Sequence, residues 1–289
     1  MSSQRGFTLI ELAIVLVIVT ILIGGLAMPL SAQIQARRIA ETNKTLQEAK
    51  EALLGYAMRS VTSSCTCTYN ADGNGDSDAS TCPVPPSCPV IFPPTIDTTL
   101  TITRHYLPCP DAQSDLEPGI DNDGDGNMSD ANNGREDRRA DGTCLRDTGN
   151  LPWTTLGAAA QDAWGNRLRY AVHADLTDKT KGFHNGSAPT PTWNHVCSLA
   201  DCPSVDVAAD VPVVIVSHGP NGWGARSING STLALPPGAN EIENLDADHR
   251  YVSRPPSRPG DAAGEFDDLV AWLPFNVLIN RVCPAGGCP

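Results

Sequence analysis

RGFTLIELAIVLVIVTILIGG, residues 5–25, is apolar almost throughout, yet it carries one carboxylate, Glu11. From Leu12 to Leu30 the chain stays apolar apart from Thr20 and some glycines. Roughly 20 such residues cross a bilayer core as a helix, which satisfies its own backbone hydrogen bonds. A secretory signal would show a basic start, a shorter apolar core and a small-x-small cleavage site. Here the basic part is Arg5 alone, and the run passes directly into a polar helix, so the segment reads as retained. A carboxylate at that depth is costly unless it is paired, so Glu11 calls for a cation. The plainer alternative is a signal anchor with an acid near the interface.

Ser31 to Met58 is polar but patterned. Ile39, Thr42, Leu46, Ala49, Leu53 and Ala57 recur every three or four residues, which predicts one apolar helix face. Residues 7–58 then read as one helix, about 75–80 Å long at 1.5 Å per residue.

The rest of the 289 residues carries the charge and the cysteines. A net charge of −13 argues against nucleic acid and anionic lipid headgroups as partners. Ten cysteines imply an oxidising compartment. Cys197 with Cys202, and Cys283 with Cys288, are close enough to pair locally, and Cys109 and Cys144 bracket an acidic loop. Cys65, Cys67, Cys82 and Cys88 would then pair among themselves. Zinc is the rival use, but paired C-x-x-C knuckles are missing.

Proline-rich residues 61–100 read as a stapled loop, with one short strand at 98–106. Leu168, Tyr170 and Val172 alternate with Arg167, Arg169 and His173 and predict a strand. VPVVIVSHGPNGWG, residues 211–224, predicts a buried strand and a glycine-rich turn. FDDLVAWLPFNVLI, residues 266–279, supplies the last apolar segments.

In GIDNDGDGNMSD, residues 119–130, Asp121, Asp123 and Asp125 alternate and Gly126 follows. That spacing wraps carboxylates around calcium. Asn127 would add a carbonyl and Ser129 a hydroxyl. Position 12 is Asn132 rather than a bidentate glutamate, so Asp130, Glu136 or Asp137 could take its place. A solvated acidic turn is the alternative. A weaker copy spans Asp72–Asp78. His195 near Cys197, and Ser217 beside His218, lack any supporting catalytic motif, so no enzyme is read.

Arg5-Gly6-Phe7-Thr8-Leu9-Ile10-Glu11 resembles the cleavage and methylation motif of type IV pilins and type II secretion pseudopilins. The resemblance implies that a prepilin peptidase cuts after Gly6 and methylates the new terminus, Phe7. It also implies that Glu11 pairs with a neighbouring subunit's amine. Asp162…Trp164-Gly165-Asn166, Ser217-His218-Gly219-Pro220-Asn221-Gly222 and Asp267-Asp268…Trp272 resemble the major pseudopilin. In that family calcium lies between the glycine-rich turn and the acidic pair, which implies Ser217 or Asn221 with Asp267 and Asp268. The resemblance implies an α+β, pilin-like fold, a long helix packed on a small antiparallel sheet with long disulfide-stapled loops, in which residues 61–150 and 225–265 are insertions.

The implied organisation is a leader over 1–6, an assembly and transmembrane helix over 7–30, an amphipathic helix over 31–60, and a periplasmic domain over 61–289. The implied role is a structural subunit, minor or specialised, of a type II secretion pseudopilus or type IV pilus. Its partners would be other pilin subunits, the prepilin peptidase, the inner membrane and its assembly platform. The alternative is a calcium-dependent adhesion or substrate-binding module delivered by a pilin helix.

Overall fold

In the structure, a computed structural model, α1 runs from Leu9 to Ala57. The residues described are 8–59, 61–69, 77–80, 98–114, 121–124, 126, 131–179, 182–183 and 193–283. The chain divides into two units, Met1–Glu41 and Thr42–Pro289. In the first unit the large apolar side chains from Leu9 to Leu22 are all exposed. Among the described residues no helix is long and apolar enough to cross a membrane.

In the second unit the helical stripe is buried as its spacing predicts. Thr42, Leu46, Ala49, Leu53 and Ala57 are each 2% exposed or less. Burying each such leucine contributes roughly 1.5–3 kcal/mol.

The remaining elements follow in chain order: β1 (Val61–Tyr69), β2 (Ser77–Ser80), β3 (Thr98–Arg104), β4 (Thr148–Asn150), α2 (Trp153–Leu156), β5 (Arg169–Val172), β6 (Asn194–Cys197), β7 (Ala208–Val211), β8 (Val213–Ser217), α3 (Ala239–Glu243), β9 (Arg250–Val252), β10 (Leu269–Leu273) and α4 (Phe275–Val282). The central sheet is antiparallel, in the order β10-β8-β5-β4. Alternate residues of a strand face opposite sides. On one side Tyr170, Val172, Val213, Ile215 and Leu273 share a core with Leu46, Leu53 and Leu54 of α1 and Leu278 of α4. On the other, Ala171, Val214 and Val216 share a core with Val196, Val211 and Tyr251. Those last three belong to a second sheet, β7-β6-β9, in which β6 and β9 run parallel.

Three features bear on the sequence reading. The strand expected around Leu168–Val172 is present as β5, and it is buried on both faces, Arg169 included, because a second sheet covers the side away from α1. Residues 61–100 are more than a loop with one strand. Val61–Tyr69 pairs with Thr98–Arg104 over seven residues and with Ser77–Ser80, since Thr, Val and Tyr suit a pleated backbone. Segment 225–265, read as an insertion, supplies α3 and β9.

Cys109–Cys144 and Cys197–Cys202 are disulfides, with Cα atoms 5.3 and 6.1 Å apart. The first closes a 35-residue separation, which constrains the unfolded chain by about 3–4 kcal/mol. Cys283 is disulfide-bonded as well. Cys288, Cys82, Cys88 and the Asp72–Asp76 stretch lie outside the described residues, as do the side chains of Cys65 and Cys67.

His249 ties the second sheet to the segment leading into β4. Its Nε2 lies 3.3 Å from Asp147 Oδ2, and its Nδ1 lies 3.1 Å from Asn194 Oδ1. The Asn194 amide group donates to the carbonyls of Val211 and Pro212, so its oxygen faces the imidazole. A ring between two acceptors favours the doubly protonated form. The Asp147 hydrogen bond raises the His249 pKa above 6.5 against the opposing effect of burial, and Asp248 adds to it. The same pairing lowers that of Asp147. His173, 6.0 Å away ring to ring, is shifted down by burial. The His249 contribution is therefore complete below pH 6.5 and is lost as pH rises through the folded value. Asparagine tolerates the positive φ of +69° here. We expect the stability gap between wild type and His249→Asn to narrow by about 0.5–1 kcal/mol between pH 5.5 and 8.5, the small size reflecting solvent screening. Urea unfolding at several pH values measures it, and a pH-independent gap would refute the bridge.

Candidate functional site

Strands β8 and β10 pair so that Ser217 lies opposite Leu269. The turn leaving β8 therefore meets the residues entering β10, and Asp267 and Asp268 come under the glycine-rich turn. Helix α3 adds a third carboxylate, Glu241, which is 1% exposed. One ligand oxygen from each of Glu241, Asp267 and Asp268 lies within 4.8 Å of the other two.

Each carboxylate is fixed through one oxygen. Asp267 N–H and the Asn221 side-chain amide donate to Glu241 Oε1, at 3.0 and 3.2 Å. Asn221 N–H donates to Asp267 Oδ2 at 3.2 Å, and the Asn244 amide donates to Asp268 Oδ2 at 2.8 Å. His218 Nδ1 lies 3.4 Å from Asp268 Oδ1, an ion-pair distance without hydrogen-bond alignment. Glu241 Oε2 and Asp267 Oδ1 are buried without a hydrogen-bond partner. Such orphans are costly. Burial, then the neighbouring Glu241 and Asp268, pushes Asp267 up to about 7, and burial and Asp268 raise Glu241 too. Three converging carboxylate oxygens with two orphans fit a hard divalent cation such as calcium.

The residues expected here are only partly brought together. Asp267 and Asp268 converge. Ser217 turns elsewhere: its hydroxyl donates to Asp162 Oδ2 at 2.7 Å. Asp162 Oδ1 in turn accepts from Trp164 and Asn166, which locks the Asp162–Asn166 turn onto the end of β8. Asn221 touches the cluster as a donor, while its own oxygen accepts from Trp223. Glu241 was missed because it lies 26 residues before Asp267 in a segment that reads as an insertion.

In the 119–130 loop, Asp121 accepts from Gly124 and Gly126 at 2.6 and 2.9 Å. Asp123 accepts from the Asn133 amide. Asp125, Asn127, Ser129 and Asp130 lie outside the described residues. Glu136 and Asp137, the proposed substitutes for position 12, are engaged elsewhere. Glu136 accepts from Tyr56, Cys109 and Arg138, and Asp137 from Ala112. A cavity of about 430 Å³ beside the loop is lined by Asp121, Asp123 and Glu136, but also by Arg138, Arg139 and Lys179. Those three cations oppose a divalent ion there.

The pairs that could suggest catalysis are committed to structure. Cys197 is in a disulfide, and the Ser217 hydroxyl donates to Asp162 rather than to His218.

At the other end of the chain Glu11 has a partner within its own helix. Thr8 N–H and the Thr8 hydroxyl both donate to Glu11 Oε2 at 2.8 Å, and Glu11 N–H reaches Thr8 Oγ1 at 3.3 Å. This is a capping box, and its signature Thr-x-x-Glu was legible before the apolar run.

Residues 1–27 match the family model described as the prokaryotic N-terminal methylation motif, the signature of type IV pilins and pseudopilins. No curated protein and no solved structure matches the chain.

Gly219 is where the site is least tolerant of change. Its φ is +57°, and a Cβ there would overlap the carbonyl and carboxylate of Asp267. Gly219→Ala should cost about 2–4 kcal/mol in urea unfolding. A loss below about 1 kcal/mol would mean that the turn does not pack on Asp267.

Proposed function

We propose, from the methylation motif at residues 1–27, that this chain is a structural pilin-like or pseudopilin subunit that works by assembly and carries out no chemistry of its own. In this reading a prepilin peptidase removes residues 1–6 and methylates Phe7. Residues 7–30 then lie in the inner membrane until an assembly platform moves the chain into a filament of like subunits, leaving the β-sheet unit in the periplasm. The exposed apolar side chains from Leu9 to Leu22 support this, since such a surface needs lipid or neighbouring helices to cover it. The added bulk of 61–150 and 225–265 favours a minor or specialised subunit over a densely packed shaft.

Glu11 then has two tasks: it caps its own helix, and it offers a carboxylate to the Phe7 amine of a neighbour. Glutamine also completes a capping box but carries no charge. The mature chain should therefore begin at N-methylated Phe7 by mass spectrometry. Glu11→Gln should abolish filaments as fully as Glu11→Ala does. Wild-type assembly by Glu11→Gln would restrict Glu11 to capping and refute the pairing.

Calcium is proposed at Glu241, Asp267 and Asp268, where the orphaned oxygens support it, ahead of the 119–130 loop, whose cavity is shared with cations. The ion would supply the positive charge the cluster lacks. Calorimetry should give one calcium per chain, lost in Asp267→Asn and kept in Asp123→Asn. The opposite pattern would move the site to the loop.

A further inference from the structure

Among its contacts with the rest of the unit, segment 225–265 makes two that meet at the acidic cluster. Through β9 it adds a parallel strand to β6, with Tyr251 opposite Val196. Through α3 it places Glu241 against Asp267 and Asp268. Asn244, just after α3, joins the two contacts. Its amide group donates to the Val252 carbonyl and to Asp268 Oδ2, and its oxygen accepts from Val252 N–H. Asn244 is fully buried.

The α3 contact is electrostatically adverse as it stands. It sets a third carboxylate beside two others, with Glu241 Oε2 and Asp267 Oδ1 buried and unpartnered. Like charges at such distances repel strongly away from water. Helix α3 is only five residues long and cannot hold itself in place. Its apolar residue Ile242 is 46% exposed, so hydrophobic burial through that side chain is incomplete.

We infer that Glu241 is a ligand contributed by the inserted segment, and that a divalent cation bound by Glu241, Asp267 and Asp268 fastens residues 239–252 onto the glycine-rich turn. This rests on the calcium reading above and extends it: the ion regulates whether the inserted surface is ordered. With the ion bound, repulsion becomes attraction, and α3, Asn244 and β9 dock together. With the ion removed, α3 is released first, because it carries the unpaired charge, and Asn244 loses Asp268 as its fixed acceptor. Presentation of the inserted surface on a filament then depends on the divalent cation concentration.

The test is hydrogen exchange on the full chain in detergent, with calcium and with chelator, alongside calorimetry on wild type, Glu241→Gln and Asp267→Asn. Calcium should slow exchange of amides 239–252 at least tenfold in the wild type, a measurement that needs no variant. Glu241→Gln should weaken calcium binding roughly tenfold or more and remove that protection. The inference is overturned, with the site left standing, if Asp267→Asn abolishes binding while Glu241→Gln binds normally and calcium leaves 239–252 unchanged. No calcium heat in the wild type would overturn both.

Discussion

A strand buried on both faces must find two partners, and β8 imposes that demand on the second unit. Val213 and Ile215 face the α1 core while Val214 and Val216 face away from it, and all four are at most 1% exposed. A single helix can cover one face of a sheet. The other face needs a second layer, and the chain builds it from β6, β7 and β9. Because β9 lies beyond α3, recruiting it carries residues 225–265 over the end of β8. Glu241 reaches the acidic pair as a consequence of covering the sheet. The candidate site is thus a by-product of core completion, and its cost in repulsion is set against burial of Tyr251 and Val252.

What was legible follows from periodicity and local motif. The stripe from Thr42 to Ala57 and the apolar run at 213–216 each report their burial through neighbours three or four apart, or adjacent. Proximity suggested the local disulfide Cys197–Cys202, and the bracketing of the acidic loop suggested Cys109–Cys144, although sequence alone fixes no connectivity. The second sheet was not legible, because the apolar run at 213–216 shows that both faces of β8 are covered but not which residues cover the second. Strands β1 and β2 were obscured by the proline-rich segment beside them, whereas β3 falls within the strand expected at 98–106. Glu241 had no local signal at all: its significance depends on a register between β8 and β10 that brings distant residues together.

Ser217 shows why a motif can be present without its expected role. The sequence Ser-His-Gly-Pro-Asn-Gly suggests a ligand, but a hydroxyl has one proton and gives it to Asp162. Asp162 has one oxygen on that hydroxyl and the other on two backbone N–H groups, so the turn, the end of β8 and, through Ala163 and Thr42, the helix are linked. The residue holds the frame on which the carboxylates sit.

The acid at the N-terminus and the acids at the β8 turn pose one problem in two settings. A carboxylate removed from water needs donors for its lone pairs and a cation for its charge. Thr8 supplies donors to Glu11, and Asn221 and Asn244 supply them to the trio. Hydrogen bonds from neutral groups satisfy geometry and leave the charge in place. In both places, then, the chain has solved the half of the problem that its own residues can solve. For Glu11 the proposed remainder is another copy's amine, which would couple charge neutralisation to assembly. For Glu241, Asp267 and Asp268 it is a soluble ion, which would couple it to the surroundings.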